Sequence, residues 1–482
     1  MKKTPLLHVE NFALSFRVYK KGLREQQKQV IHKLNLKIYE GEVVAVVGAS
    51  GSGKSLLADA ILGILPVNAM TDGVLYYRGE RLSAHRQKEL RGKEISLIPQ
   101  SVNALDPLMK VGKQVQKVIK GNNANSKKLQ QEIFQKMNLQ EGVDCYYPFE
   151  LSGGMARRVL SAIALVGNPN LIIADEPTPG LDVQSLQEVT SYIRSLASSG
   201  KGVMFITHDI DTALRVADRF VIMNQGETIE TVSAEHFTGR GEGLQQSYTK
   251  ALWNALPHNE FIANLATRKS LTKPQESVPT NDESLQVKDV SYSIKGKHLL
   301  KGVGFTIRPG EVVGLMGDSG AGKTTLAKTI AGYNRPDSGS VMIGNKASRI
   351  NPNLVQLVWQ HPEQSINPKW TMKKVLKESN MLDDEITSML GIRTEWLSRW
   401  PSELSGGELQ RFSIARALSS NTKFLILDEI TTMLDAVTQA EIWDVVLQVI
   451  KKRKIGVLAI SHDEQLLKRI SHRILKFDEL GV

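Results

Sequence analysis

Two runs of apolar residues along the chain are each followed by a glycine-rich stretch and then by an apolar stretch of helical length. The first run is VVAVV at 43–47, and the second is VVGLM at 312–316. Continuous runs of this length, rich in β-branched residues, predict strands buried on both faces of a sheet. The later stretches, LLADAILGIL at 56–65 and TLAKTIAG at 325–332, predict helices. The pattern therefore predicts strand, glycine loop and helix, in that order, twice.

Other segments recur in the same order. The apolar run LIIADE at 171–176 has a counterpart in FLILDE at 424–429, and LLHVENFALSF at 6–16 has one in LQVKDVSYSI at 285–294. Short apolar runs, which predict strands, also precede the histidine segments ITHD at 206–209 and ISHD at 460–463. Self-similarity of this kind predicts two domains of one fold.

The spacing between paired segments shows which part of each domain varies. Each half also contains an LSGG segment, LSGGM at 151–155 and LSGGE at 404–408. From its serine to the aspartate of the acidic strand the spacing is 23 residues in both halves, whereas the stretch from the lysine of the glycine loop to that serine is 16 residues shorter in the second half. This difference predicts a constant core with a variable inserted subdomain. We expect a first domain at 1–257, a Pro- and Ser-containing linker at 258–284 and a second domain at 285–482.

Composition narrows the class of protein only slightly. With 482 residues, 41% apolar and 23% charged, the chain has the composition of an ordinary globular protein and the length of two to four domains. A single cysteine, Cys145, rules out an intramolecular disulfide. No window approaches the 18 apolar residues expected of a spanning helix. The net charge of +11 suits anionic lipid, nucleic acid or acidic proteins, and equally a solvated surface.

The glycine stretches GASGSGKS at 48–55 and GDSGAGKT at 317–324 both have the form G-x-x-x-x-G-K-[ST]. In the context of strand, loop and helix, this pattern predicts a phosphate-binding loop. Its glycines allow backbone N–H groups to converge on phosphate oxygens, and the helix N-terminus adds partial positive charge. Lys54 and Lys323 would then reach the β- and γ-phosphates.

The acidic strand ends supply the groups that hydrolysis needs. Asp175 and Asp428 are placed to hold Mg²⁺, and Glu176 and Glu429 to orient or deprotonate the attacking water. A single acidic strand end is often only an exposed turn. Its recurrence after a phosphate loop in both halves favours the catalytic interpretation.

Taken together, the two loops, the LSGG segments, the acidic strands and the histidine segments resemble the ATPase subunits of ABC transporters. The resemblance covers about 6–257 and 285–482. It implies an α/β fold with two tandem ABC-type P-loop ATPase domains, each a RecA-like core with an inserted helical subdomain. It also implies ATP and Mg²⁺ as cofactors.

The resemblance assigns further site residues. The switch histidines that contact the γ-phosphate would be His208 and His462, and the glutamines that sense Mg²⁺ and the attacking water would be Gln100 and Gln360. With Asp175 and Asp428, the metal would be held by Ser55, Thr324 and these two glutamines. The remaining ATP contacts would be Gly48, Ser50, Gly51, Ser52, Gly53, Gly317, Ser319, Gly320, Ala321, Gly322, Thr325, Ser152, Gly153, Gly154, Ser405, Gly406, Gly407, Asp182 and Asp435.

In this family the LSGG segment of one half faces the phosphate loop of the other half. The resemblance therefore implies that the two halves of this chain pair head to tail and enclose two ATP molecules. The usual fifth residue of the segment is Gln, but here it is Met155 in one half and Glu408 in the other. Neither change removes a catalytic group, so we expect both sites to hydrolyse ATP, and the sequence leaves their relative rates open.

Smaller features are similar to the peptide and nickel importer ATPases, among them QSYTKALWNALP at 246–257 and YPFELSGGM at 147–155. This resemblance implies a peripheral protein on the cytoplasmic face of the membrane. Its partners would be two transmembrane permease subunits and, through them, an extracytoplasmic substrate-binding protein, with no nucleic acid partner. The cargo stays open between peptide, nickel and metallophore.

Two alternatives remain open. The first is an ABC-type translation factor, which the basic charge would suit, although Pro274 and Pro279 interrupt the expected linker where such factors have a long charged helix. The second is a fused sugar or vitamin importer ATPase. Sugar versions typically carry one degenerate site, whereas both sites here are intact in sequence.

Overall fold

A computed structural model describes residues 4–20, 24–119, 123–179, 181, 183–261, 283–294, 296–318, 320–344, 354–378, 384–432 and 434–480. Internal contacts divide the chain into two compact units, Met1–Lys250 and Ala251–Val482. We call them unit 1 and unit 2. Within the described part of the chain, no helix has both the length and the apolarity to cross a bilayer.

Unit 1 contains a ten-stranded sheet in the order β5-β4-β1-β2-β10-β9-β3-β8-β7-β6. Its strands are β1 (Leu7–Lys20), β2 (Arg24–Ile38), β3 (Val43–Gly48), β4 (Ala69–Tyr77), β5 (Glu80–Arg81), β6 (Ile95–Ile98), β7 (Leu171–Asp175), β8 (Gly202–Thr207), β9 (Arg219–Asn224) and β10 (Glu227–Ser233). The five neighbouring strands β9, β3, β8, β7 and β6 pair in parallel. Every residue of β3, β7 and β8 is buried. Burial on both faces is why these segments are apolar without alternation.

Helices cover the sheet of unit 1 and form the inserted region. They are α1 (Lys54–Leu62), α2 (Ala84–Leu90), α3 (Val111–Val118), α4 (Asn123–Lys136), α5 (Gly153–Leu165), α6 (Val183–Ser198), α7 (Ile210–Leu214) and α8 (Ser247–Asn254), of which α8 crosses the division between the units. Helices α3, α4 and α5 lie between β6 and β7 in the chain and contact one another. This is the helical subdomain expected from the spacing.

Unit 2 repeats the design with two separate sheets, in the orders β12-β11-β14 and β15-β16-β17-β13-β18. Its strands are β11 (Leu285–Ile294), β12 (Lys297–Ile307), β13 (Val312–Met316), β14 (Ser338–Ile343), β15 (Val355–Val358), β16 (Phe424–Asp428), β17 (Gly456–Ile460) and β18 (Arg473–Lys476). In unit 1, β10 pairs with both β9 and β2, and so it joins the parallel strands to the antiparallel strands β1, β2, β4 and β5 in one sheet. The described chain of unit 2 ends soon after β18, without a strand equivalent to β10.

The described helices of unit 2 follow the same order. They are α9 (Lys323–Ile330), α10 (Met372–Glu378), α11 (Asp384–Met389), α12 (Gly406–Ala417), α13 (Ala436–Arg453) and α14 (Glu464–Ile470). Helices α10, α11 and α12 lie between β15 and β16, which is the inserted position again. The expected fold class is thus confirmed for both units. The expected boundary at 257 stays a prediction, and most of the expected linker at 258–284 lies outside the described residues.

Candidate active site

The order of the parallel strands determines which segments meet. In unit 1, β8 lies between β3 and β7, and in unit 2, β17 lies between β13 and β16. The carboxyl ends of parallel strands share one edge of a sheet, where α/β proteins bind their ligands. Each histidine segment therefore emerges between the phosphate loop and the acidic strand end of its own unit.

The phosphate loop of unit 1 wraps around its lysine. Gly51 and Gly53 have φ of 79° and 94°, and Gly53 caps the N-terminus of α1. The Lys54 ammonium donates hydrogen bonds to the carbonyl oxygens of Gly48 and Ala49 at 2.8 and 2.9 Å. A Cβ atom at Gly48 would lie 2.0 Å from the Met223 carbonyl oxygen, so only glycine fits there. Ser50 and Ser55 are exposed, whereas the buried Ser52 hydroxyl has no hydrogen-bond partner among the described residues.

The loop of unit 2 has the same form. Gly320 and Gly322 have φ of 81° and 114°, and Gly322 caps α9. Lys323 donates to the carbonyl oxygens of Gly317 and Asp318, both at 2.7 Å. Burial lowers the pKa of Lys323, and nearby acidic groups oppose that shift. Ala321, Thr324 and Thr325 follow in the loop and the first turn of α9, while Ser319 lies outside the described residues.

At the end of β7, Asp175 and Glu176 have different surroundings. Burial raises the pKa of the Asp175 carboxyl to about 6, and its hydrogen bond with Ser55 partly offsets that shift. Burial would also raise the pKa of Glu176, but His208 and the charge of Lys54 hold it below the usual range of a glutamate. The His208 Nδ1 atom lies 2.7 Å from Glu176 Oε2. The structure thus joins the lysine, both acids, Ser55 and His208 in one site.

The equivalent site of unit 2 is connected differently. Gln360 donates a 3.0 Å hydrogen bond to Glu429 Oε2, while His462 Nδ1 lies 3.5 Å from Glu429 Oε1 and Lys323 Nζ lies 4.0 Å from it. The hydrogen bond with Glu429 raises the pKa of His462. Burial raises the pKa of Asp428, and the hydrogen bond with Thr324 opposes the shift. In unit 1 the matching glutamine, Gln100, is exposed.

The glutamates at the ends of the two acidic strands have a backbone conformation that the sequence pattern does not indicate. Glu176 and Glu429 have φ of 48° and 49°, in the left-handed region that residues other than glycine seldom adopt. Their backbone N–H groups bond to the carbonyl oxygens of Ile206 and Ile460 on the neighbouring strands. Strained residues of this kind cluster at functional sites. Here the turn directs the carboxylate toward the histidine.

The LSGG segments open helices, as expected. Ser152 caps α5 by accepting a hydrogen bond from the Met155 N–H, and Ser405 caps α12 by accepting one from the Glu408 N–H. Only Glu408 completes a capping box, in which its carboxylate accepts from the Ser405 N–H at 2.8 Å. The glycines Gly153, Gly154 and Gly406 face open space, so a ligand can approach their N–H groups closely, and Gly407 lies against Leu434.

Asp435 has a structural function that the sequence analysis missed. Its carboxylate accepts hydrogen bonds from the N–H and the hydroxyl of Thr438 and so caps α13. The signal was available, because Asp before an apolar helical pattern is a preferred N-cap. Asp182, its counterpart, lies outside the described residues, so its assignment stays a prediction.

The residues at each strand end fit a Mg²⁺ ion that shares its coordination with phosphate. The buried Asp175 Oδ1 atom has no hydrogen-bond partner among the described residues, and the Ser55 hydroxyl bonds to the same carboxyl group. No group of three or more His, Cys, Asp or Glu side chains in the described chain could hold a metal by itself. Mg²⁺ typically binds one or two protein oxygens together with substrate phosphates and water.

Comparisons with known proteins agree with this geometry. The profile of the ABC transporter family matches residues 31–179 and 300–432. The glutathione import ATP-binding protein GsiA of Escherichia coli O6:H1 is 30% identical, over 97% of this chain and 84% of that protein. The same protein of Escherichia coli K12 is 29% identical over the same shares.

Solved structures resemble the chain in fold. A structure of RNase-L inhibitor has a TM-score of 0.63 at 22% identity and covers 97% of this chain and 87% of its own. A model of ribosome-bound archaeal Pelota and ABCE1 has a TM-score of 0.66 at 21% identity, covering 97% of this chain and 76% of that one. At such low identity these likenesses show the fold alone.

Proposed function

This chain belongs to the ABC transporter family and is an ATPase, and from that premise we propose that it is the motor subunit of a membrane importer for small peptides. Support comes from the relatives named for glutathione import, which align with nearly the whole chain. Glutathione is a tripeptide, so this likeness favours peptide over nickel or a metal chelate as the cargo.

Each unit contributes one complete set of catalytic groups. Site one combines Lys54, Ser55, Asp175 and Glu176 with the Ser405 and Gly407 segment of the other half. Site two combines Lys323, Thr324, Asp428 and Glu429 with the Ser152 and Gly154 segment. Supporting this assignment, both LSGG segments present a capped helix N-terminus, and Gly153, Gly154 and Gly406 face open space, which suits an anionic phosphate. ATP binding closes the pair, and hydrolysis opens it again.

The residues of site one have separable tasks during hydrolysis. The P-loop N–H groups and Lys54 bind the phosphates. Glu176 stays ionised because of His208 and Lys54, so its carboxylate orients the attacking water and accepts its proton. His208 holds that carboxylate in place from 2.7 Å. Mg²⁺, held by Ser55, Asp175 and Gln100, would neutralise charge on the β- and γ-phosphates.

The motor acts at the cytoplasmic face of the membrane, where it binds two permease subunits. The permeases receive cargo from an extracytoplasmic binding protein. When the ATPase pair closes, they switch the side of the membrane to which the cargo pathway is open. Cargo does not contact this chain. The translation-factor alternative has fold likeness and the basic charge in its favour. The sugar-importer alternative is disfavoured because both sites hold their expected residues.

The test is a purification from membranes in mild detergent. A chain with Glu176→Gln and Glu429→Gln is expected to accumulate in the ATP-bound state and to retain two polytopic permeases and a binding protein, identified by mass spectrometry. The matched control carries Lys54→Ala and Lys323→Ala, which removes phosphate binding and should lower permease recovery. Ribosomal proteins without any permease would overturn the importer and support the translation factor.

The cargo is tested on the same complex in proteoliposomes. Uptake of labelled glutathione or dipeptides that depends on ATP is the expected result. Uptake of a nickel chelate, with none of peptide, would transfer the assignment to the metal-importing branch.

A further inference from the structure

Helix α8 and the residues after it, up to Phe261, belong mostly to unit 2. Contacts place the division between Lys250 and Ala251, inside α8. Residues 251–261, which we call the anchor segment, therefore pack with unit 2. By sequence this segment is the end of the first ATPase repeat, because the second repeat starts only at Leu285.

The anchor segment is packed and internally bonded. Phe261 is 4% exposed and lies in one hydrophobic cluster with buried residues of unit 2, including Val312 and Leu466. Its N–H bonds to the Asn254 carbonyl oxygen at 2.8 Å, and the Asn259 amide bonds to the Trp253 carbonyl oxygen at 2.8 Å. These contacts give the segment a defined shape that a flexible linker does not have.

One arginine of unit 2 attaches the segment. The Arg469 guanidinium, on α14, donates to the carbonyl oxygens of Pro257 at 2.7 Å, His258 at 3.3 Å and Asn259 at 2.7 Å. A planar fork with several fixed donors suits such a row of acceptors better than a lysine does. Hydrogen bonds from charged donors are also stronger than neutral ones.

The first repeat carries the same arginine without this use. Arg215 follows His208 by seven residues, as Arg469 follows His462. Its side chain is exposed. Among the described residues, the three carbonyl contacts occur at Arg469 and not at Arg215, so the first repeat supplies a matched residue for comparison.

The two flanks of residues 262–282 both belong to unit 2. Phe261 is buried in one cluster of that unit, and Leu285, fully buried in β11, belongs to another. The chain thus passes from unit 1 to unit 2 at residues 250–251. The segment expected to link the two domains begins and ends on the same unit.

We propose that the anchor segment is a non-covalent joint that holds the end of the first ATPase repeat on unit 2 without any nucleotide. Residues 262–282 are then not needed to keep the two repeats together. Because both partners of the joint belong to one chain, the joint forms at high effective concentration in the intact protein.

The experiment cuts the intact protein after purification. A site for a sequence-specific protease is inserted between residues 272 and 273, the purified full-length chain is cleaved, and gel filtration is run at serial dilution without nucleotide. The cut protein should elute as one species of intact size, because the anchor segment remains on the first fragment and stays bound to the second. Separation of the cut wild-type fragments at micromolar concentration would overturn the proposal.

Substitutions locate the joint. Arg469→Ala should raise the dissociation constant of the two fragments by about ten- to a hundredfold. Phe261→Ala should raise it by the same factor or more. The dissociation constant of Arg469→Lys should lie between those of the wild type and Arg469→Ala. Arg215→Ala is the matched control and should elute as wild type. Equal affinity in Arg469→Ala and wild type, or equal weakening by Arg215→Ala, would contradict the assignment.

A fold check keeps the result interpretable. Circular dichroism and the melting temperature of each uncut variant are compared with wild type. If Phe261→Ala fails to fold, the Arg469→Lys and Arg469→Ala pair still decides, because both substitutions leave the apolar cluster intact. Their affinities should rank wild type, lysine, alanine, and any other ranking would contradict the proposal.

Discussion

The two candidate active sites contain the same residue types, but different hydrogen bonds and ion pairs connect these residues in each unit. In unit 1, His208 is close to its glutamate and 12% exposed, whereas in unit 2, His462 lies farther from its glutamate and is 45% exposed. Conversely, Gln360 bonds to Glu429, while Gln100 is exposed. The shortest side-chain contact of the glutamate is therefore with the histidine in unit 1 and with the glutamine in unit 2.

The helix behind each phosphate loop carries opposite charges at matching positions. Five residues after the P-loop lysine, α1 has Asp59 and α9 has Lys328. Burial raises the pKa of both strand-end aspartates; the charge of Asp59 adds to the shift of Asp175, whereas the charge of Lys328 opposes the shift of Asp428. Lys328 also lies over the Trp359 ring at 5.1 Å. Duplicated motifs thus do not imply equal electrostatic environments.

The largest expected effect comes from the catalytic glutamates. Replacing both, with Glu176→Gln and Glu429→Gln, should lower ATP turnover by about 10²–10⁴-fold, because a general base typically contributes that much. The single substitutions separate the two sites in a phosphate-release assay. Exposed Glu235→Gln is the control and should turn over like wild type. Full activity in the double variant would remove both residues from catalysis.

The histidines sharpen the comparison. His208→Ala, measured with site two silenced by Glu429→Gln, should lower the remaining turnover by about ten- to a hundredfold, because a close, charge-assisted contact with little solvent exposure is lost. His462→Ala, measured with Glu176→Gln, should lower it by less than about fivefold, since its contact is longer and more exposed. Phosphate release is the measurement. The reverse order would show that burial of the histidine does not determine its contribution.

Exchange of the charges on the two helices tests their influence on nucleotide binding. Lys328→Asp should weaken ATP binding at site two by about two- to fivefold, and Asp59→Lys should strengthen it at site one by a similar factor, because each change alters the charge near the polyphosphate. Titration with a fluorescent ATP analogue measures each site while the other lacks its P-loop lysine. Both effects should shrink at high salt; effects that do not depend on salt would point to altered packing instead.

The smallest effect concerns the caps of the LSGG helices. Glu408→Met removes the capping box of α12 and should lower the free energy of unfolding of unit 2 by about 0.5–1 kcal/mol. Met155→Glu supplies the missing carboxylate in α5 and should stabilise unit 1 by a smaller amount. Denaturant unfolding measures both. No change in either variant would mean that the crossed hydrogen bonds have no net effect on stability.

Local pattern predicted the elements around both phosphate loops closely. The strand expected at 312–316 is observed as Val312–Met316, and the one expected at 43–47 ends one residue later, at Gly48. The helices were expected to begin at 56 and 325 but begin at Lys54 and Lys323. They start earlier because Gly53 and Gly322 adopt positive φ and cap them directly, which a hydrophobic pattern does not reveal.

The sequence by itself determined the two repeats, the loops, the acidic strand ends and the family, because these depend on residue type and spacing along the chain. Only the tertiary structure decided that His208 and His462 contact their glutamates at different distances and that Glu176 and Glu429 adopt left-handed backbone. It also decided that residues 251–261 pack with unit 2. Such features arise from contacts between residues far apart in sequence. Burial and neighbouring charges, rather than the local sequence pattern, determine the free energy of these conformations.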